Sequence, residues 1–192
     1  MMKLLEDKIR EYGKVLPGDI LKIDGFLNHR IDVALLTECG KEWYKIYKDS
    51  GVNKILTIEA SGIGVACLAA LPFGVPVVYA KKSKSSNIGD SFYRVPVMSY
   101  THGSSSEVIV SKEYLTPEDR VLIVDDFLAR GCALKGLIGL CSMAGATVVG
   151  CGAVVEKVYQ RGGDDVRAMG YRVDSLARIV SMDEKTGEIE FA

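Results

Sequence analysis

The chain has 192 residues, of which 48% are hydrophobic and 26% are charged, and this balance excludes intrinsic disorder as its main description. The formal net charge is −1, so there is no overall positive field to attract nucleic acid, and any anion site must be local. No apolar run approaches the length of about 20 residues that a membrane helix needs, and the N-terminus lacks the apolar core of a signal peptide. We therefore expect a cytoplasmic protein with a single domain over residues 1–192 and neither a membrane nor nucleic acid as partner.

Hydrophobic spacing predicts two helices, separated by an irregular segment, in the first 50 residues. Residues 2–12 have the pattern of a short amphipathic helix, and residues 14–31 alternate only loosely between apolar and polar side chains. Asp32 is a candidate N-cap for a second helix over about 33–49. The inward-facing side chains predicted for these helices are Leu5, Ile9 and Tyr12 in the first, and Leu35, Leu36, Cys39, Trp43 and Tyr47 in the second.

Strands and helices alternate in the rest of the chain. The predicted strands cover residues 54–59, 76–80, 95–100, 106–111, 121–124, 147–156, 172–180 and 186–191. The predicted helices cover residues 62–71, a segment from about residue 133, and a short segment near 163–169. Residues 81–94, rich in Lys and Ser, are typical of a mobile loop. The repeated β-α-β order predicts an α/β fold with a doubly wound, mainly parallel sheet flanked by helices.

The segment around Asp125 and Asp126 carries the clearest chemical signal. Four aliphatic residues, 121–124, predict a strand buried on both faces, and the two carboxylates follow at once. Ionised carboxylates accept hydrogen bonds from the vicinal hydroxyls of a sugar, and the amides of the small-residue loop 128–133 before a helix suit a phosphate. The pattern favours a phosphorylated ribose as ligand. The alternative is a strand that ends in two solvated carboxylates, which is common in α/β proteins.

A second strand–turn–helix junction lies at residues 57–64. Its Gly-x-Gly lacks the third glycine of a dinucleotide-binding fingerprint, because position 67 is cysteine, so it is weak as a nicotinamide site. The alternative is a tight βα turn with close helix–strand packing.

Three lysines, Lys81, Lys82 and Lys84, follow the strand predicted at 76–80. A basic run is usually a solvated face, but this one opens a Ser-rich loop at a strand's carboxyl end, where positive charge can meet an anionic ligand.

The five cysteines are odd in number and form no Cys-x-x-Cys pair, so we expect reduced thiols. Cys132 lies in the candidate phosphate loop, but a nucleophilic role needs a neighbouring base, and neither His29 nor His102 is near in sequence. No His, Cys or Asp set has metal-ligand spacing, so no metal site made by the protein alone is expected.

The order of strand, Asp-Asp, small-residue loop and helix resembles the phosphoribosyl-pyrophosphate (PRPP) signature of the type I phosphoribosyltransferases. Four segments together resemble the bacterial, xanthine-using branch of that family over nearly the whole chain: Phe26–His29, Asp125–Gly131, Glu156-Lys157 and Tyr171–Ile179. The resemblance implies the type I fold with a small N-terminal hood, mainly residues 14–31 with the C-terminal strands, and a core of about 32–180. It also implies transfer of a 5-phosphoribosyl group from PRPP to N9 of xanthine, giving xanthosine 5′-monophosphate and pyrophosphate in purine salvage, with Mg²⁺ bound along with PRPP and a homodimeric assembly.

The same resemblance assigns roles to individual residues. Asp125 and Asp126 would hold the ribose hydroxyls, and the 5′-phosphate would be anchored by Ala129, Arg130, Gly131, Cys132 and Ala133. Pyrophosphate would be met by Glu59, Ala60, Ser61 and Gly62, with a non-proline cis peptide expected at Ala60–Ser61, and by Lys81, Lys82 and Lys84. Residues 83–103 would form the closing lid, and the purine would contact Leu21, Asn28 and Lys157. A lysine donor favours a 6-oxo group and disfavours the amino group of adenine, so guanine and hypoxanthine are expected as weaker substrates.

Several assignments have alternatives. Many family members have Thr-Gly-x-Thr in the phosphate loop, and the xanthine-using branch typically has Ala-Asn-Gly-Gln-Ala, so Arg130 and Cys132 depart from both patterns. Arg130 either adds a charge-assisted contact or points to solvent. Lys157 reads equally as a strand-end surface lysine, and Asn28 as a turn residue.

Three other functions compete. They are a PRPP-binding, non-catalytic regulator of purine genes, a phosphoribosyltransferase that prefers guanine or hypoxanthine, and a Rossmann-type oxidoreductase, which would require NAD binding.

Overall fold

The computed structural model describes residues 2–82, 91–99 and 104–192. The helices in these residues are α1 (Lys3–Tyr12), α2 (Val33–Tyr47), α3 (Ser61–Ala70), α4 (Cys132–Ala144) and α5 (Gly162–Ala168). The strands are β1 (Lys14–Leu16), β2 (Ile20–Lys22), β3 (Lys54–Ile58), β4 (Val77–Ala80), β5 (Phe92–Ser99), β6 (Ser104–Ser111), β7 (Arg120–Leu128), β8 (Thr147–Lys157), β9 (Val173–Met182) and β10 (Ile189–Phe191).

The central sheet has six strands in the order β10-β9-β8-β7-β3-β4. Its five strands from β9 to β4 are mutually parallel, and β10 pairs antiparallel with β9 at one edge. Residues 121–124 of β7 are all fully buried, as an apolar run covered on both faces requires. The predicted doubly wound α/β sheet is therefore confirmed.

A hydrophobic cluster covers each face of this sheet. The first joins α1, α2 and α3 to hood residues such as Leu21 and Phe26. The second joins α4 to the antiparallel β5–β6 hairpin and includes Val166 of α5. Helices thus lie on both faces of the sheet, and its strand ends remain as the place for a ligand site.

The prediction for α2 is confirmed at both the cap and the core. The Asp32 carboxylate accepts a hydrogen bond from the Leu35 amide at 3.1 Å. All five residues predicted to face inward from α2 are buried. In α1, however, Tyr12 is 55% exposed, so its predicted burial is wrong. The helix closes there through the Gly13 amide and the Ile9 carbonyl, and the Tyr12 ring instead lies beside the Lys8 ammonium.

The prediction of a loop over 81–94 is wrong for its last residues. Residues 92–94 belong to β5, because they pair antiparallel with residues 109–111 of β6. The hairpin packs on α4, where a Cβ at Gly136 would lie only 2.4 Å from Val97 Cγ2. Residues 83–90 and 100–103, which include Lys84, His102 and most of the expected lid, lie outside the described residues. In the part of the chain that is described, no helix is both long and apolar enough to span a bilayer.

Candidate functional site

The predicted site segments follow neighbouring strands at one edge of the sheet. Residues 59–62 come after β3, residues 81–82 after β4 and residues 129–133 after β7, while Lys157 is the last residue of β8. These four strands are parallel, so their carboxyl ends lie along the same edge. The fold therefore brings together segments that are far apart in sequence.

The two signature aspartates lie inside a strand, which corrects the prediction that the strand ends before them. β7 continues to Leu128 because its ladder with β8 extends past the apolar run, with Asp125 opposite Ala153. Both aspartates are buried, with only 4% and 7% of their surface exposed. The Asp126 amide donates a hydrogen bond of 2.9 Å to Asp125 Oδ1.

The electrostatics of this pair favour protonation of Asp125. Burial raises the pKa of Asp125 well above its usual range, and the negative charge of Asp126 raises it further. The positive charge of Lys82 acts in the opposite direction, which brings one residue of the predicted basic run into the electrostatic surroundings of the signature.

Asn28 contacts the signature directly. Its amide nitrogen Nδ2 donates to Asp126 Oδ2 at 3.0 Å, across 98 positions of sequence. The residue expected to contact a base is thus joined to a residue expected to hold a ribose. A role as a turn residue alone does not explain this contact.

The candidate phosphate loop is backed by the start of α5. Gly131 has φ of +75° and precedes the first turn of α4, whose first amides have no partner within the helix and are therefore available to an anion. The Gly162 amide donates to the Ala129 carbonyl at 3.0 Å, and a Cβ at Gly162 would lie 2.3 Å from that oxygen. Within the loop, Arg130 is exposed, whereas Cys132 and Ala133 are half-buried.

The candidate pyrophosphate loop approaches the signature from β3. The cis peptide bond lies at Glu59–Ala60, one bond earlier than predicted, because residue types alone do not specify which bond of the turn is cis. A Cβ at Gly62 would lie 2.2 Å from Thr57 Oγ1 and 3.1 Å from Asp125 Oδ1, so only glycine allows this approach. Glu59 Oε1 accepts from the Lys82 amide at 2.6 Å, which ties this loop to the basic segment. Lys81 is joined to Ile109 of β6 through a backbone bridge.

Lys157 is buried against the hood rather than exposed as a strand-end lysine. It keeps 7% of its surface exposed, and its Nζ donates to the main-chain carbonyl of Asp19. The Asp19 carboxylate also accepts from the Tyr159 hydroxyl and the Gln160 amide. Burial lowers the pKa of Lys157, and the charge of Asp19 opposes that effect. Leu21, two residues after Asp19, is also buried.

Asp19, Tyr159 and Gln160 were not found by sequence reasoning. Asp19 lies in a turn of the hood, and Tyr159 and Gln160 lie about 140 positions later in a short 3-10 turn. Neither segment has a sequence motif of its own. The Asp19-Ile20-Leu21 spacing beside a predicted base contact was the one signal available.

The described residues contain no group of three or more His, Cys, Asp or Glu side chains that could hold a metal ion. Asp125 and Asp126 are nevertheless hard oxygen ligands of the type that Mg²⁺ accepts when most of its shell comes from phosphate and water. All five cysteines are free thiols.

Residues 32–186 match the family model described as phosphoribosyl transferase domain. The match covers the whole sheet edge described above apart from the hood, and the chain belongs to the phosphoribosyltransferase family.

Curated relatives match almost from end to end. A xanthine phosphoribosyltransferase of Lachnoclostridium phytofermentans is 50% identical over 190 residues, which are 99% of this chain and 98% of that protein. A xanthine phosphoribosyltransferase of Bifidobacterium adolescentis is 54% identical over 191 residues, 99% of each chain.

Solved structures share the fold at lower identity. APRTase from Giardia lamblia, complexed with 9-deazaadenine, is 26% identical and superposes with a TM-score of 0.77 over 93% of this chain and 98% of that one. Adenine phosphoribosyltransferase from Saccharomyces cerevisiae is 18% identical with a TM-score of 0.74, over 91% and 99% of the two chains, and shows likeness of fold only.

Proposed function

We propose that this protein is a xanthine phosphoribosyltransferase, which transfers the 5-phosphoribosyl group of PRPP to N9 of xanthine and releases xanthosine 5′-monophosphate and pyrophosphate. The observation that carries the proposal is the contact between Asn28 and Asp126, because it joins the hood residue that we assign to the base to the carboxylate that we assign to the ribose. The full-length relatives named for xanthine support the choice of base.

We assign the substrate groups along the sheet edge. Asp125 and Asp126 hold the ribose hydroxyls. The 5′-phosphate is bound by Ala129, Arg130, Gly131, Cys132 and Ala133. Because this loop has no hydroxyl side chain, its hydrogen-bond donors are mainly main-chain amides. Pyrophosphate is assigned to residues 59–62 and to Lys81 and Lys82, with Lys84, which lies outside the described residues, as a further candidate. Leu21, Asn28 and Lys157 contact the purine, and the Lys157 ammonium donates to its exocyclic oxygens.

The transfer needs no protein nucleophile. Glycosyl transfer passes through an oxocarbenium-like state, so catalysis rests on holding base and ribose in line and on stabilising the departing pyrophosphate. The positive charge of the lysine segment faces the charge that develops on the leaving group. The chemistry that Mg²⁺ supplies, when bound with PRPP near Asp125 and Asp126, is neutralisation of diphosphate charge.

We further propose that residues 1–192 act as one phosphoribosyltransferase domain, that the enzyme is a homodimer, and that it works in the cytoplasm, where five free thiols stay reduced. Light scattering coupled to size-exclusion chromatography tests the assembly, because a monomer mass at assay concentration contradicts the dimer.

The test of function is a comparison of kcat/KM for xanthine, guanine, hypoxanthine and adenine with saturating PRPP. Xanthine should rank first, the other 6-oxopurines lower, and adenine last, because an amino group at position 6 leaves the Lys157 donor unpaired. A preference for guanine or hypoxanthine would correct the substrate, and a preference for adenine would refute the role of Lys157. PRPP binding without nucleotide formation would identify a regulator.

The paired variant Asp125→Ala with Asp126→Ala tests the ribose site. We expect loss of turnover with a native circular dichroism spectrum, since both side chains are assigned to ribose. The matched control, Asp7→Ala with Glu11→Ala, removes two carboxylates from the exposed surface of α1 and should leave turnover within about twofold. Wild-type turnover in the signature variant contradicts the assignment.

A further inference from the structure

Asp19 lies in the turn between β1 and β2 and has φ of +61°, directly after Gly18 at φ of +83°. The amides of Gly18 and Asp19 both donate to Glu184 Oε1, at 2.9 and 3.1 Å, from the turn that joins β9 and β10. The conformation of this turn is therefore held by Glu184, through main-chain atoms that do not depend on the Asp19 side chain.

The Asp19 side chain has different partners. Its two carboxylate oxygens accept from Tyr159 and Gln160, while Lys157 donates to its carbonyl and lies 3.8 Å from Oδ2. Polar contacts from three residues at the end of β8 and in the 3-10 turn after it thus meet on one residue of the hood. Only 9% of the Lys157 side chain is exposed, so its ammonium group is largely removed from water. Among the described residues, the Asp19 carboxylate is the one carboxylate within 4 Å of that ammonium group.

Asp19 is the charged group that acts on the pKa of Lys157, and three other carboxylates of this region have partners of their own. Glu156, its neighbour in β8, pairs with Arg167 and Arg178. Asp126 accepts from Asn28, and Glu184 accepts from the hood amides. The hydroxyl of Tyr159 stays protonated, since burial and the hydrogen bond to Asp19 raise the pKa of Tyr159. Asp19 is therefore the group that balances the Lys157 charge.

We propose that Asp19 is a positioning residue for base recognition: by anchoring on Tyr159 and Gln160, it fixes the direction and the charge of the Lys157 ammonium that meets the oxo groups of the purine. The inference rests on the proposed function, because it assumes that Lys157 faces the base. It concerns base binding and leaves the PRPP site, at the other strand ends, unaltered.

The test uses Asp19→Asn, alone and combined with Lys157→Met. Asparagine tolerates φ of +61° and keeps the size of the side chain, but removes the charge and one of two acceptors. We expect the KM for xanthine to rise about tenfold while the KM for PRPP changes less than about twofold. In the Lys157→Met background the same substitution should have almost no further effect, because two residues that act through one contact are not additive.

If Lys157→Met lacks turnover, the same four proteins (wild type, the two single variants and the double variant) are compared by calorimetry. The measured quantities are then the affinities for xanthosine 5′-monophosphate and for PRPP. Glu184→Ala is the control, since it removes the carboxylate that holds the same turn and leaves the Asp19 side chain in place. A merely structural role for Asp19 predicts that Glu184→Ala reproduces the Asp19→Asn effect and that Asp19→Asn adds fully to Lys157→Met, and either result overturns the inference.

The pH profile supplies a readout that a structural role would not move. Loss of the Asp19 charge lowers the pKa of Lys157 further, so the alkaline fall of kcat/KM for the base should begin at lower pH in Asp19→Asn than in the wild type. Ionisation of the base itself is the same for both proteins and cancels in the comparison. If kcat/KM falls at the same alkaline pH in both proteins, the inference is contradicted.

If the wild type uses guanine or hypoxanthine in place of xanthine, the proposed function fails. The same comparison of variants, run with that base, still decides the role of Asp19.

Discussion

Two adjacent carboxylates in the middle of a buried strand are unfavourable for folding, and here they lie where a ligand is expected. Asp125 has 4% of its surface exposed and has the Asp126 carboxylate as its neighbour. Its pKa is raised by burial and then by Asp126. A carboxyl group whose pKa is raised by folding stabilises the native state below its unfolded pKa and loses that contribution as pH rises through the folded pKa. The Asp125 carboxyl group is therefore expected to cost stability as the pH rises.

Asp125→Asn should accordingly stabilise the unliganded protein at neutral pH while it reduces turnover by orders of magnitude. The amide oxygen can still accept from the Asp126 amide, so the local hydrogen bond survives. We expect a gain on the order of 1 kcal/mol, or about 2–4 °C in Tm for a chain of this size. Calorimetric scans from pH 8 to pH 4 check the sign, because the gain should shrink as the wild-type carboxyl becomes protonated. A variant with lower Tm than the wild type at neutral pH refutes this view of Asp125.

At the scale of elements, the candidate phosphate loop, residues 129–133, packs against a helix that lies about 30 positions later in the sequence. The loop turns through Gly131 and is packed against the start of α5, where Gly162 leaves no space for a side chain. The next residue, Gly163, is just as crowded but faces the Glu156 carboxylate, at 1.9 Å from a Cβ placed there. Two adjacent glycines thus support different parts of the molecule.

Gly162→Ala and Gly163→Ala separate these roles. The methyl group at position 162 must displace Ala129 and Arg130, so the KM for PRPP should rise about tenfold through a loop shift of a fraction of an ångström. The methyl group at position 163 should instead lower Tm, with a KM for PRPP much nearer to the wild-type value. Steady-state kinetics together with thermal melts measure both effects, and equal KM values for the two variants would show that the loop is not held by Gly162.

The same elements show what the sequence could and could not predict. The apolar run 121–124 and the Asp32 cap were enough to place β7 and α2, because burial on both faces and capping are local signals. The strand end was misplaced at Asp125, since pairing with β8 is a long-range interaction that residue types do not encode. The cluster of polar contacts on Asp19 was missed for the same reason: its contacts cross about 140 positions and carry no local pattern.

At the scale of the whole molecule, one buried carboxylate joins three elements behind the site. Glu156 of β8 is 1% exposed and accepts two hydrogen bonds from Arg167 of α5, while Arg178 of β9 lies 3.3 Å from its Oε2. Lys157, the next residue, meets the hood. Because successive side chains of a strand point to opposite faces, β8 holds α5 with one residue and the hood with the next. A single strand thus contacts both the helix behind the candidate phosphate loop and the hood.

Loss of the Arg167 charge should loosen this arrangement in a pH-dependent way. Burial alone would raise the pKa of Glu156, but the hydrogen bonds and charge of Arg167, together with the charge of Arg178, bring it below its usual range. A carboxyl group of this kind stabilises the fold above its unfolded pKa, and the stability is lost as pH falls through the folded pKa. Arg167→Met should therefore cost about 2 kcal/mol at neutral pH, a value discounted because Arg167 is about one-third exposed.

Lys135→Met is the matched comparison, because the ion pair between Lys135 and Asp165 also attaches α5 but is exposed on both sides. We expect it to change stability by less than about 0.5 kcal/mol. Urea unfolding at pH 7 and at pH 4 measures both variants: the gap between Arg167→Met and the wild type should narrow at the lower pH, where the Glu156 carboxyl is closer to protonation and its ion pairs contribute less. A gap that is the same at both pH values, or the same for both variants, would mean that α5 is held by packing of Val166 against its core cluster rather than by the buried charge of Glu156.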